Sequence, residues 1–214
     1  MHRYRASIIA SLVALLVVSR GAVPAFAGAP TETLKTTVDQ VVKILGDPTL
    51  RDRRDAKRTE VRKVAENIFD YPETARRALG PHWNARTPQQ QQEFVKLFAD
   101  LLDRSYVSKI DLYQGERVHY GAESVEGDEA TVKTAISTKN GTDIPVDYRM
   151  HQKNGRWLVY DVIIEGVSLV SNYRTQFNKV IQTESYDALV QRLRAKDSGE
   201  PAASPGRAHR EHER

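Results

Sequence analysis

Few residues in this chain combine the type and spacing that chemistry needs. Gly166-Val167-Ser168-Leu169-Val170 carries half of a nucleophile elbow, but the second glycine is missing. An elbow holds its serine on a strained strand-to-helix turn, so Ser168 reads instead as the cap of a following helix. His209 and His212 have a ligand-like spacing, yet no cysteine accompanies them and their surroundings are rich in Pro, Gly, Ser and charge. His82, His119 and His151 share no recognisable ligand spacing and read as surface or strand histidines. No catalytic set, metal site or cofactor is expected. Asp161 alone stays a candidate for chemistry, and its meaning depends on the elements that position it.

Periodicity locates those elements. Thr31 opens a helix with Leu34, Val38, Val41, Val42 and Leu45 on one face, stopped by Gly46-Asp47-Pro48. A charged second helix runs to about Asp70, with Val61, Val64, Ala65, Ile68 and Phe69 as its apolar stripe. Tyr71-Pro72-Glu73 starts a short third helix that ends at Gly80. The clearest helix follows Thr87, an N-cap with Pro88 at the first helical position and Gln90 where a capping-box partner belongs. Phe94, Leu97, Phe98, Leu101, Leu102, Tyr106, Ile110 and Tyr113 then recur at three- and four-residue steps. That spacing predicts one apolar face over about seven turns.

After Gly115 the period becomes two. Strands are predicted over Glu116–Ser124, Ala130–Lys139, Ile144–Lys153 and Arg156–Ile164, with turns at Glu126-Gly127-Asp128, Asn140-Gly141 and Asn154-Gly155. Helix returns from Ser168 to Thr183, with Tyr173, Phe177, Val180 and Ile181 inward, and a last helix capped by Ser185 carries Leu189 and Leu193. Helices, then an antiparallel meander, then helices make an α+β plan. A two-residue turn at Asn154-Gly155 pairs Met150 with Val159, Tyr148 with Asp161 and Val146 with Ile163. One face then collects Ile144, Val146, Tyr148, Met150, Trp157, Val159 and Ile163. The same turn at Asn140-Gly141 would throw Val132 and Ile136 onto the opposite face, so a one-residue bulge is predicted there.

This register sets the Asp161 carboxylate on the apolar face, opposite Tyr148. Two readings stand. Asp161 is a buried base beside a tyrosine, as in small-molecule enzymes on cone-shaped α+β folds. Alternatively, it is a carboxylate held by a Tyr hydroxyl or by backbone donors to fix the sheet, which is the preferred reading.

The ends bound the class. Arg3 and Arg5 precede an uncharged, largely apolar run from Ala6 to Ser19, and Ala25-Phe26-Ala27 supplies a small-x-small cleavage pattern. Residues 1–27 are thus expected to be a cleaved signal peptide. Arg20 ends the run short of the roughly 20 residues a membrane span needs. Arg3, Arg5 and Arg20 leave with the leader and no acid does, so 32 Lys and Arg against 28 Asp and Glu become 29 against 28. A charge near +1 gives no electrostatic footprint for nucleic acid. With no cysteine anywhere, an exported chain has no disulfide staples and must rely on an ordinary core. The stretch 196–214 reads as a disordered tail, leaving 28–195 as one domain.

From Phe69 to Leu193 the chain resembles the MlaC family of periplasmic phospholipid-binding proteins, also called the toluene-tolerance auxiliary family. The residues that carry the likeness are Phe69-Asp70, Ala78-Leu79-Gly80 followed by Trp83, Thr87-Pro88 with Gln90, Glu93-Phe94, Tyr106, Tyr113 with Gly115-Glu116, and Ile144-Pro145-Val146-Asp147-Tyr148-Arg149. More specific are Gly155 to Val162, Glu165-Gly166-Val167-Ser168-Leu169-Val170, and Asn172-Tyr173-Arg174 with Gln176-Phe177. Gly166-Val167-Ser168-Leu169 looks more like the phospholipid branch of the superfamily than the hopanoid-associated one. The resemblance implies helices wrapped around a curved, antiparallel four-stranded sheet in an NTF2-like cone with a deep apolar pocket. It implies a carrier and not an enzyme, shuttling phospholipid between an inner-membrane ABC transporter complex and an outer-membrane lipoprotein–porin complex to maintain outer-membrane lipid asymmetry.

Such a pocket has to be large. Two acyl chains hold about 30 methylenes at roughly 0.8 kcal/mol each, so roughly 25 kcal/mol of exposure to water must be avoided. Combining the resemblance with the apolar faces, lipid contact is expected from Phe98, Leu101, Leu102 and Tyr106 on the long helix, and from Val132, Ile136, Val146, Tyr148, Met150 and Val159 on the sheet. Val167, Val170 and Phe177 are expected to close the other side, with Arg174 either at the mouth near a headgroup or simply on the surface. Periodicity by itself does not separate a filled core from a hollow one. Two rivals therefore remain, an enzyme on the same cone using Asp161 and Tyr148, and an adaptor domain with a packed core.

Overall fold

The computed structural model describes residues 29–107, 113 and 115–195. The expected signal peptide, the tail from 196 onward and Ile110 lie outside them. Four helices come first, α1 (Pro30–Leu45), α2 (Arg54–Ile68), α3 (Tyr71–Leu79) and α4 (Pro88–Tyr106). Strands β1 (Arg117–Glu126), β2 (Glu129–Ser137), β3 (Asp143–Lys153), β4 (Arg156–Ile164) and the two-residue β5 (Val167–Ser168) follow, then α5 (Leu169–Thr183) and α6 (Tyr186–Ala195). The α+β plan holds, with one short strand beyond the four expected.

Local chemistry accounts for the element ends. Thr87 Oγ1 accepts from Gln90 N at 3.2 Å while Gln90 Oε1 accepts from Thr87 N at 3.0 Å, a complete capping box for α4. That helix stops at Tyr106, short of the predicted seven turns, and Tyr113 is not helical. Val107, a weak helix former, is the C-cap of α4. The second helix ends at Ile68 rather than Asp70. Phe69 turns extended and bridges Val159, while Asp70 Oδ1 accepts from Glu73 N at 3.1 Å to cap α3. Among the described residues no helix is long and apolar enough to cross a membrane.

The sheet has the order β1-β2-β3-β4-β5, with antiparallel neighbours throughout. Between β2 and β3 the predicted one-residue adjustment is present, pairing Val132 with Tyr148 and Ile136 with Ile144. Its device is an extra loop residue. Thr138 N donates to Thr142 O at 2.9 Å, Gly141 N donates to Thr138 O at 3.0 Å, and Gly141 takes φ 77°.

Between β3 and β4 the expected register fails beyond its first pair. Met150 faces Val159, but Arg149 then faces Asp161, Tyr148 faces Val162 and Val146 faces Ile164. Tyr160 is the extra residue of this bulge. The slip brings Val162 and Ile164 to the apolar face and carries Asp161 and Ile163 to the other, which spares the apolar face a carboxylate. A third irregularity lies between Tyr120 and Glu123 of β1. Bulges bend and twist the strands that carry them.

Two apolar clusters result. One joins α3, α4, α5 and α6, where Phe98 meets Tyr173 and Phe177 edge-on at ring distances of 5.1 and 5.2 Å. The other lies between the α1–α2 hairpin and the sheet, where Leu34 and Ile68 cover Ala130, Val132, Met150, Trp157 and Val159.

Candidate functional site

Beside the second cluster the packing leaves a cavity of about 480 Å³, within the roughly 300–1,000 Å³ of small-molecule sites. Leu34, Val38 and Val41 of α1 and Val61, Val64, Ala65 and Ile68 of α2 form one wall. Ile136, Val146, Tyr148, Val159, Val162 and Ile164 of the sheet form the opposite wall, and Leu102 and Tyr106 of α4 with Val107 form a third. Val162 and Ile164 reach the cavity only because of the bulge at Tyr160.

Six of the thirteen residues expected to contact lipid line this space, namely Leu102, Tyr106, Ile136, Val146, Tyr148 and Val159. The other seven are placed elsewhere. Phe98, Leu101, Val170 and Phe177 interlock in the all-helical cluster, because α4 turns its Phe94–Leu101 face toward α5 and α6. Val132 and Met150 are fully buried under Leu34 and Ile68. Val167 lies on β5 with 44% of its surface exposed. Arg174 donates from Nε to Arg77 O at 2.7 Å and packs on Gly80, away from the cavity wall. The seven apolar α1 and α2 residues, and Thr37 beside them, were missing from the expected set. Their signal was visible as the two apolar stripes, but nothing in the stripes said what they covered.

Asp161 and Tyr148 do not meet, since the bulge separates them onto opposite faces. Asp161 is only 3% exposed and receives Ser168 Oγ at 2.6 Å, Val170 N at 3.0 Å and Arg149 Nη1 at 3.4 Å. Ser168 in turn accepts from Ser171 N at 3.0 Å as the cap of α5. The carboxylate thus ties β4 to the start of α5 through a hydroxyl and a backbone amide, as the preferred reading has it for backbone donors, and the rival pairing of Asp161 with Tyr148 is not assembled.

The hydroxyls around the cavity stay neutral. Burial, with Tyr120 nearby, pushes Tyr148 up to about 12. Burial with the Asp39 charge does the same for Tyr120, whose hydroxyl is buried with no hydrogen-bond partner among the described residues. Burial also raises Tyr106, aided by Tyr173. Asp103 is the one acidic or basic residue of the described wall, and it is paired with Arg62. Such a wall can hold hydrocarbon.

A second groove, of about 510 Å³ and more polar, lies between α1, the end of α2 and the β3–β4 turn. It is lined by Thr33, Thr36, Gln40, Asn67 and Arg156 and shares Thr37, Val64 and Ile68 with the cavity. The histidines have ordinary partners. His82 Nε2 meets Asn178 Oδ1 at 2.8 Å, and His151 Nε2 meets the buried Asp70 at 3.0 Å. His119 is exposed on β1. No group of three His, Cys, Asp or Glu among the described residues could hold a metal ion.

Comparisons place this architecture among known proteins. A phospholipid-binding protein from Ralstonia solanacearum, solved in complex with a phospholipid, superposes with a TM-score of 0.71 at 29% identity, covering 80% of this chain and 98% of that one. The intermembrane phospholipid transport system binding protein MlaC of Haemophilus influenzae is 23% identical over 123 residues, 55% of this chain and 57% of its own. The toluene tolerance protein ttg2D of Pseudomonas putida is 28% identical over 102 residues, 47% of each chain. The chain therefore spans about half the length of the curated relatives it matches. Residues 35–195 match the family described as MlaC protein, and the match takes in the α2 stripe, the bulged sheet and all of both clusters but Leu34. On that match and this fold, the chain belongs to the MlaC family.

Proposed function

We propose that this protein is a periplasmic phospholipid carrier. The carrying observation is the cavity of about 480 Å³ whose described wall is hydrocarbon and neutral hydroxyl apart from one paired carboxylate. Acyl chains need that environment, because each methylene left in water costs about 0.8 kcal/mol. The fold shared with a Ralstonia protein solved with phospholipid supports the same reading. On this proposal Leu102, Tyr106, Ile136, Val146, Tyr148 and Val159 contact the chains, joined by the α1 and α2 stripes. The proposal extends to export on residues 1–27, to residues 28–195 as the lipid-binding domain with a 196–214 tail, and to shuttling between an inner-membrane ABC transporter complex and an outer-membrane lipoprotein–porin complex.

The direct test is to purify the protein from the cells that make it, extract it with organic solvent and analyse the extract by mass spectrometry. Stoichiometric phospholipid is the expected result. A clean extract together with no uptake from liposomes would sink the carrier reading.

A further inference from the structure

The one acidic residue of the described cavity wall, Asp103, sits where α2 and α4 face each other without packing closely. Asp103 Oδ1 accepts Arg62 Nε at 3.0 Å and Oδ2 accepts Arg62 Nη2, the two-pronged geometry of a guanidinium on a carboxylate. The Arg62 side chain is 52% exposed and that of Asp103 only 15%. The pair therefore marks the boundary between apolar interior and solvent. Tyr71 lines the same rim, and burial, followed by the Asp103 and Glu66 charges, pushes its hydroxyl up to about 12. It is a neutral donor there.

A cation and an anion side by side at the rim of a hydrocarbon cavity complement a headgroup that carries both signs. We propose that Arg62 and Asp103 form a headgroup subsite for phospholipids with a primary ammonium, phosphate on Arg62 and ammonium on Asp103. This rests on the carrier reading, in which the cavity holds the acyl chains.

Charge balance selects the class. A glycerol-type headgroup brings only its phosphate. By taking Arg62 it would leave a largely covered carboxylate without a partner, which is the costly half of breaking an ion pair. A zwitterion exchanges partners and leaves neither group alone. A quaternary ammonium has no N–H for Asp103 to accept, so ethanolamine-type lipids fit better than choline-type ones. Asp100 and Glu66, which also act on Arg62, add attraction for an ammonium at the same place.

The test loads the purified full-chain protein from vesicles holding equal amounts of ethanolamine- and glycerol-headgroup phospholipid with identical acyl chains. Extracts are then quantified per protein by mass spectrometry. The wild type should enrich the ethanolamine lipid by roughly threefold to tenfold, the scale of one partly covered charge pair. Asp103→Asn should bring the ratio to parity with total lipid retained. Arg62→Gln should lower both lipids together, and Arg156→Gln in the polar groove should change nothing. If Asp103→Asn does not fold by circular dichroism, the double variant Arg62→Gln with Asp103→Asn replaces it, with parity again expected. A wild type that merely copies the vesicle ratio overturns the subsite, as does a preference surviving in the Asp103 variant or a ratio that responds to Arg156→Gln instead. Lipid absent from every protein overturns the carrier reading itself.

Discussion

The helical cluster of α3 to α6 and the chamber between α1–α2 and the sheet use the same apolar periodicity for opposite ends. In the first, Phe94, Phe98, Tyr173 and Phe177 are buried and meet edge to face across the helices. In the second, the walls are largely Val, Ile and Leu, and α1 buries only Pro30 and Leu34 of its 16 residues. Rings reach across the space between helices, whereas short branched side chains stop before they meet. The contrast teaches that an apolar face states only that water is excluded. What fills the space behind it depends on how far the facing side chains extend.

The contrast can be broken most sharply on the filled side. Phe98→Ala removes a ring with 1% exposure from three aromatic contacts and should cost about 3–5 kcal/mol in urea denaturation. Leu101→Trp in the same cluster should overpack it, at about 1–3 kcal/mol. On the hollow side the same kind of change should behave differently. Val162→Trp is expected to leave the melting temperature nearly unchanged while lipid per protein, measured by mass spectrometry, falls at least severalfold. Ile163→Trp, one residue on and across the sheet, should spare the lipid. Equal lipid loss in both variants would refute the β4 bulge.

Smaller effects sharpen the boundary between the regions. Asp161→Asn loses a charge-assisted hold on Ser168 and Val170 and should cost about 1.5–3 kcal/mol of stability without altering lipid content. Acid sensitivity should belong to α3. Hydrogen bonds from Arg76, against burial, and then from Arg77 hold Glu73 at about 2, below its usual 4.5. A carboxyl depressed on folding stabilises above its unfolded value, and that share fades as pH falls from about 4.5 through about 2. Glu73→Gln should therefore be less stable than wild type at neutral pH and converge with it at the acid end. Thr87→Ala should show the smallest change, about 1 kcal/mol from the lost cap.

Legibility followed how local the deciding interaction is. The capping box of α4 could be read because its two partners lie three residues apart. The β2–β3 register could be read because a slip would have exposed Val132 and Ile136, a penalty visible in the strands themselves. The Tyr160 bulge could not. Its reason lies in Ser168 and Val170, which take up the Asp161 carboxylate only after the chain has turned into α5. The end of α4 was likewise hidden, because apolar spacing continued past the last helical turn.

The residues alone determined the order of the main helices and the four long strands, the caps of α4 and α5 and the α+β class, all of which depend on neighbours in sequence or on composition. Tertiary structure decided which of two equally apolar regions is hollow, setting Phe98 and Leu101 in the packed cluster and the α1 and α2 stripes along the cavity. It also made Asp161 a tether instead of a base. Burial propensity is a property of a side chain, but a void is a property of the distance between two walls, and that distance exists only once the chain has folded.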